Sequence, residues 1–262
     1  MQKIKRVLFP LSIIIVLLSC TTSGKKKAVP VSETTSIIQT DQDMDSTAKK
    51  PKTKIEGIDI SHHQSVVSWD SLKQTEIKFV FIKATGGLDY TDPEFHNNWK
   101  NAKQSGFLRG AYHFYYSVDD PAQQAGFFKE TVLNVSDSLD LPPVLDIETH
   151  GVNSNISISQ YQADVKKWLE LTAVAFNKKP IIYTSKNFAN KYLKDSIFST
   201  YHLWLAEYEV EAPTVPETWE TVGCTFWQNS YSDTIPGIKN QVDHNIFVGT
   251  TEELQHLGDD HQ

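Results

Sequence analysis

Asp146 and Glu148 close the run Leu141-Pro-Pro-Val-Leu-Asp-Ile-Glu148, an apolar stretch that finishes in two carboxylates two residues apart. Side chains alternate along a strand, so both acids point to one face, with Cα atoms ~6.6 Å apart. Neighbouring carboxyl groups resist ionising together, which raises the pKa of one. The raised group stays protonated as a general acid while its partner remains anionic. Glycosidic cleavage needs that division: one group protonates the leaving oxygen and another supports the developing cation. The same two letters also occur at ordinary acidic strand ends, so the assignment depends on what else converges on them.

Other acids finish apolar runs too. Asp59 ends Gly57-Ile-Asp-Ile-Ser-His-His-Gln64, and Asp243 lies in Gln241-Val-Asp-His-Asn-Ile-Phe247. Alone, each reads equally well as a turn, cap or surface acid. Aromatic residues take comparable positions: Tyr112, Phe114 and Tyr115, then Tyr183, Trp204, Tyr208 and Trp227. Their faces combine apolar area with a polar handle and suit stacking on sugar rings. Phe114 reads as barrel core, and Tyr208, at a strand end, as a site residue.

These residues need a scaffold that brings strand ends together. β-rich runs are expected at Ile55–Ile60, Phe79–Thr85, Leu108–Tyr116, Pro143–Glu148, Pro180–Thr184, His202–Tyr208, Cys224–Gln228 and Gln241–Phe247. Helical patterns fall at Trp69–Gln74, Pro93–Ser105, Pro121–Leu133, Ser159–Phe176 and Asn187–Leu193. Tyr161, Val165, Trp168 and Leu169 form one helical stripe. Phe79-Val-Phe-Ile82 and Pro143-Val-Leu145 are continuous apolar runs, as in strands buried on both faces. Strand–helix alternation predicts an α/β fold with a parallel sheet. About eight strands and five helices predict an irregular, TIM-barrel-like (β/α) barrel, less regular in its last third. Such a barrel carries its site at the C-terminal strand ends, which would gather Asp59, Asp146, Glu148 and Asp243 on one rim.

The first residues read differently. Lys3, Lys5 and Arg6 precede an apolar run from Val7 to Leu18. A basic start and a short apolar core form the layout of a secretory signal, and the run is short for a membrane span. Leu17-Leu-Ser-Cys20 resembles the bacterial lipoprotein box, which implies cleavage after Ser19 and a lipid on Cys20. Residues 20–54 are rich in Ser, Thr, Lys and Asp without periodicity and read as a tether. The barrel is expected over 55–262, and the protein in the cell envelope, held to a membrane through Cys20. The formal net charge is −7, and three units more negative once Lys3, Lys5 and Arg6 leave with the leader. That balance argues against nucleic acid as a partner. With only Cys20 and Cys224, no disulfide framework is expected.

Taken together, residues 55–257 resemble glycoside hydrolase family 25, the Chalaropsis-type muramidases. The resemblance rests on Gly57–Gln64, Phe79-Val-Phe-Ile-Lys-Ala-Thr85, Gly110-Ala-Tyr-His-Phe-Tyr115, Pro143–Glu148, Trp204-Leu-Ala-Glu-Tyr208, Trp227-Gln228 and Val242-Asp-His-Asn-Ile-Phe247, in that order. It implies an irregular barrel of eight strands and five helices. It also implies cleavage of the β-1,4 bond between N-acetylmuramic acid and N-acetylglucosamine in peptidoglycan strands, with no cofactor and no metal. Glu148 matches the family's general acid. Asp146 matches the residue that assists the substrate's 2-acetamido group, and Asp59 and Asp243 match acids of the same pocket. Tyr112, Tyr183 and Trp204 fall where the sugar groove is lined, with Gln64, Tyr208 and Trp227 as further binding candidates. A monomer is expected.

One position departs from the pattern. The family continues the second strand as Lys-Ala-Thr-Glu-Gly, whereas this chain has Lys83-Ala-Thr-Gly-Gly87. A pocket-rim carboxylate is therefore missing, and Asp89, Asp92 or Glu94 are candidates to replace it. The change keeps open a non-catalytic glycan-binding protein on the same fold. Asp59, His62, His63 and Asp146 also contain ligand types for a metal-dependent polysaccharide deacetylase. No H-E-x-x-H motif accompanies them.

Overall fold

The computed structural model describes residues 53–135 and 139–259. Among these residues nine strands form one sheet: β1 Thr53–Ile60, β2 Ile77–Gly86, β3 Tyr90–Thr91, β4 Leu108–Phe114, β5 Val144–Asp146, β6 Ile181–Ser185, β7 His202–Ala206, β8 Phe226–Asp233 and β9 Val242–Gly249. Their order is β1-β9-β8-β7-β6-β5-β4-β2-β3, and an additional β1–β2 pairing closes eight of them into a barrel. The short β3 extends one end of β2. The expected barrel is therefore present, with one correction to the all-parallel reading. β1, β2, β4, β5, β6, β7 and β8 run parallel, whereas β9 is antiparallel to both β8 and β1. A long helical crossover is needed only between parallel neighbours, which is why no α-helix separates β8 from β9.

Six α-helices occur among the described residues: α1 Trp69–Leu72, α2 Phe95–Gln104, α3 Pro121–Leu133, α4 Ile158–Phe176, α5 Lys186–Tyr192 and α6 Thr251–Gln255. The first five match the expected helical segments. The sixth is a five-residue helix held by a capping box between Thr250 and Glu253, too short to leave a periodic stripe. Local chemistry sets the longer boundaries. Asp120 caps the α3 N-terminus by accepting from the Ala122 and Gln123 amides, with Pro121 at the first turn. Ser157 caps α4, and Asn177 ends it in the left-handed region at φ 50°.

Alternation along the strands divides the apolar residues into two clusters. Ile58, Val80, Ile82, Ala111, Leu145 and Ile182 pack outward with Trp168, Leu169 and other helix residues. Phe79, Phe81, Val144, Ile181, Trp204, Phe226 and Phe247 fill the barrel interior. Gly57 and Gly110 make room for that interior, because a Cβ at either position would overlap the Phe79 or Phe81 ring. Phe81 stacks on Trp204 at 4.4 Å between centroids, forming a solid floor below the strand ends.

Candidate active site

Above this floor, the next inward-facing positions of every barrel strand except β7 are polar. Asp59 on β1, Lys83 on β2, Tyr112 on β4, Asp146 at the end of β5, Tyr183 on β6, Gln228 on β8 and Asp243 on β9 line one cavity with Glu148. It encloses about 150 Å³. Glu148 lies beyond the β5 ladder, yet its backbone stays extended at φ −137° and ψ 168°, so the alternation persists and both acids reach the same cavity. A 3-10 turn, Thr149–Gly151, follows at once. It packs so tightly that a Cβ on Gly151 would collide with the Tyr115 carbonyl oxygen.

The four carboxyl groups form two hydrogen-bonded pairs, Asp146 with Glu148 and Asp59 with Asp243. Burial, reinforced by the Glu148 charge, holds Asp146 well above the ordinary carboxylate range. Burial also raises Glu148, opposed chiefly by the Lys83 ammonium. Asp146 Oδ1 is buried and receives no hydrogen bond from any N–H or hydroxyl group of the described residues. In the second pair, burial pushes Asp59 up to about 6 against the hydrogen bonds from Asn245 and Gln228. Burial, the Asp59 charge and the hydrogen bond to Asp59 push Asp243 up to about 9.

Asp59 is held by a buried amide network. Gln228 Nε2 and Asn245 Nδ2 both donate to Asp59 Oδ2 at 2.8 Å. Asn245 Oδ1 accepts from Trp204 Nε1 at 2.8 Å, and Gln228 Oε1 accepts the hydroxyls of Tyr183 and Tyr208. Every polar atom in this chain of contacts is satisfied, which fixes each rotamer. Lys83, Gln228 and Asn245 were not singled out as site residues from the sequence. A period-2 signal was there for two of them: Phe79-x-Phe81-x-Lys83 and Phe226-x-Gln228 each carry an inward aromatic face up to the rim.

The sequence-predicted residues divide as follows. Asp59, Asp146, Glu148, Asp243, Tyr112, Tyr183 and Trp204 come together around the cavity. Phe114 lines it too, rather than serving only as core, with its ring 5.1 Å from Lys83 Nζ. Tyr208 lines an adjoining cavity of about 230 Å³, which shares Glu148 and Tyr183 with the first. Trp227 lies outside both cavities: Phe226 occupies the inward position, so Trp227 is buried on the other face and donates to the Glu207 carbonyl at 2.6 Å. Gln64 is also outside both cavities. Its amide caps the 3-10 turn at the end of β1 through the Ser61 amide and reaches the Gln241 carbonyl. Cys20 lies outside the described residues.

His62 faces Asp92 at 2.7 Å rather than Asp59 or Asp146. Asp92 also accepts from the His62 and Glu94 amides, so it is committed to the loop and does not replace a carboxylate at position 86. Among the described residues no three His, Cys, Asp or Glu side chains converge in a way that would hold a metal ion.

Residues 58–238 match the family model Glycosyl hydrolases family 25. The chain belongs to that family. It is a glycoside hydrolase, and the family 25 match spans most of the barrel, from β1 to the segment before β9. Lysozyme M1 of Streptomyces globisporus is 32% identical over 208 residues, which cover 76% of this chain and 70% of that protein. The N,O-diacetylmuramidase of Chalaropsis sp is 30% identical over 203 residues, 73% of this chain and 95% of that one. The crystal structure of the bacterial lysozyme from Streptomyces coelicolor is similar with a TM-score of 0.73 at 30% identity, covering 80% of this chain and 99% of that chain.

Proposed function

We propose that this family 25 hydrolase is an N-acetylmuramidase that cuts the β-1,4 bond between N-acetylmuramic acid and N-acetylglucosamine in peptidoglycan. The observation that carries the reading is the position of Glu148 in the wall common to two adjoining cavities. A bond between two sugars, one in each cavity, would cross beside its carboxyl group. Burial raises its pKa above the ordinary carboxylate range, which favours the protonated form that a general acid requires.

Asp146 and Glu148 share a side-chain hydrogen bond, so they act as one hydrogen-bonded unit rather than as two separated carboxylates. The pair therefore suits substrate-assisted cleavage. Asp146 Oδ1, which lacks a donor, accepts the N–H of the substrate's acetamido group. That bond stabilises the Asp146 anion, so the shared proton passes to Glu148. Glu148 gives the proton to the glycosidic oxygen as the C1–O bond breaks, and the acetamido carbonyl oxygen bonds to C1. Water then loses a proton to the Glu148 carboxylate and bonds to C1 as the bond from C1 to the acetamido oxygen breaks, which restores the acetamido group and releases a product of retained configuration.

The protein is further read as an exported lipoprotein anchored through Cys20, with residues 20–54 as tether to the barrel and peptidoglycan strands as its partner. Incubation with purified peptidoglycan, followed by mass spectrometry of the fragments, tests the activity. Reducing N-acetylmuramic acid ends, absent with Glu148→Gln, are expected. Reducing N-acetylglucosamine ends would overturn the bond specificity, and strand binding without any fragments would replace the enzyme by a glycan-binding protein. Retention of Cys20→Ser in the membrane fraction would overturn the anchor.

A further inference from the structure

Lys83 is the one cation among the described residues that line the cavity, and its charge favours the anions of Asp146 and Glu148 without an ion pair to either. None of the ion pairs among the described residues includes it. Its ammonium is framed by rings instead: Phe114 at 5.1 Å, Tyr112 at 5.8 Å and Tyr90 at 6.0 Å. Aromatic faces hold a cation without neutralising it.

The backbone explains why no carboxylate completes the pair. The β2–β4 register passes from Lys83↔Tyr112 to Thr85↔His113, so Ala84 is a bulge. Thr85 is turned outward to bond His113 at 2.8 Å, and Gly86, opposite Phe114, faces the same side as Lys83. A Cβ at Gly86 would meet Phe114 Cβ at 3.5 Å and the Tyr90 ring at 3.7 Å, ordinary contacts. Space for a side chain thus exists among the rings that surround the ammonium, and glycine leaves it open. Of the acids in the adjoining loop, Asp92 is spent on His62 and Glu94 accepts from the Asn97 amide.

We propose that Lys83, with the opening at Gly86, forms a carboxylate-binding subsite that recognises the free 3-O-lactyl group of a muramic residue lacking its stem peptide. This rests on the muramidase reading. On that sugar the acetamido group at C2 and the lactyl ether at O3 leave from adjacent ring carbons. With the acetamido group on Asp146, the lactyl arm starts beside it. Asp146 on β5 and Lys83 on β2 are separated by the single strand β4, about 10 Å between backbones. One lactyl ether and one lysine side chain span that gap. In peptide-bearing strands the same carboxyl is an amide and carries no charge for the ammonium.

The test compares the full-length protein on intact peptidoglycan and on the same material stripped of stem peptides by an amidase. The expected result is a kcat/KM roughly tenfold or more higher on stripped strands, carried by KM. Lys83→Met and Gly86→Glu are each expected to erase the ratio, the first by removing the cation and the second by occupying it internally. Equal wild-type values on both substrates, or a ratio unchanged in both variants, would overturn the subsite and leave the muramidase reading standing. Absence of cleavage of either substrate by the wild type would overturn both.

Discussion

Asp59 on β1 and Asp243 on β9 face each other across an antiparallel ladder and share one hydrogen bond, with Asp243 as its donor. Two amide groups already donate to Asp59 Oδ2, which favours the anion there and leaves the proton on Asp243. The site thus maintains a buried, neutral acid beside a buried, oriented carboxylate.

That arrangement costs stability as pH rises. The folded-state pKa of Asp243 is about 9 against an ordinary 3.8, so between those values the unfolded chain is the form that has lost the proton. Stability from this group is full at acid pH and declines as pH rises from ~4 to 9. Asp243→Asn keeps a donor for Asp59 and cannot ionise. Thermal unfolding at pH 8 is expected to show the variant melting ~2–4 °C above wild type, with the difference vanishing near pH 4 and activity reduced.

Lys83 lowers the pKa of both Asp146 and Glu148. In Lys83→Met the pair holds its proton to higher pH. The alkaline limb of the kcat/KM profile is therefore expected to move upward, whatever the effect on the maximum. A limb at the wild-type pH would mean that this pair does not supply the catalytic proton.

The turn Thr149–Gly151 directly follows Glu148, and it closes only because residue 151 lacks a Cβ. Gly151→Ala forces this turn away from the Tyr115 carbonyl. A loss of about 10²-fold in kcat is expected from misplacing the acid, with far-ultraviolet circular dichroism unchanged. Activity within twofold of wild type would show that Glu148 is positioned by β5 alone.

His113 carries the opposite pH sign to the acids. It is buried between Thr85 Oγ1 at 2.8 Å and Gln124 Oε1 at 3.1 Å and stacks on Trp168. Burial pushes it down to about 4, so it stays neutral in the fold while the unfolded chain takes up a proton below its ordinary 6.5. Stability from this group is lost as pH falls from 6.5 to 4. In His113→Gln the melting temperature is expected to be lower at pH 7 but to fall less between pH 6.5 and 4.

Much of this was legible in the chain itself. The eight barrel strands and the first five helices follow from apolar runs and periodicity, because alternation and capping are local properties. Asp146 and Glu148 were legible for the same reason: two acids at i and i+2 share a face wherever the strand lies. Tertiary structure alone decided the rest. Nothing local states that β9 runs antiparallel, yet that direction sets Asp243 against Asp59. Nothing local separates Phe226, which faces in, from Trp227, which faces out, until the barrel closes and gives the strand an inside. Nothing local states that the Gln64 amide bonds the Ser61 amide and the Gln241 carbonyl, 177 residues away. The physical reason is common to all three: register, closure and hydrogen-bond partner are relations between segments far apart in sequence, and they exist only once the chain has folded.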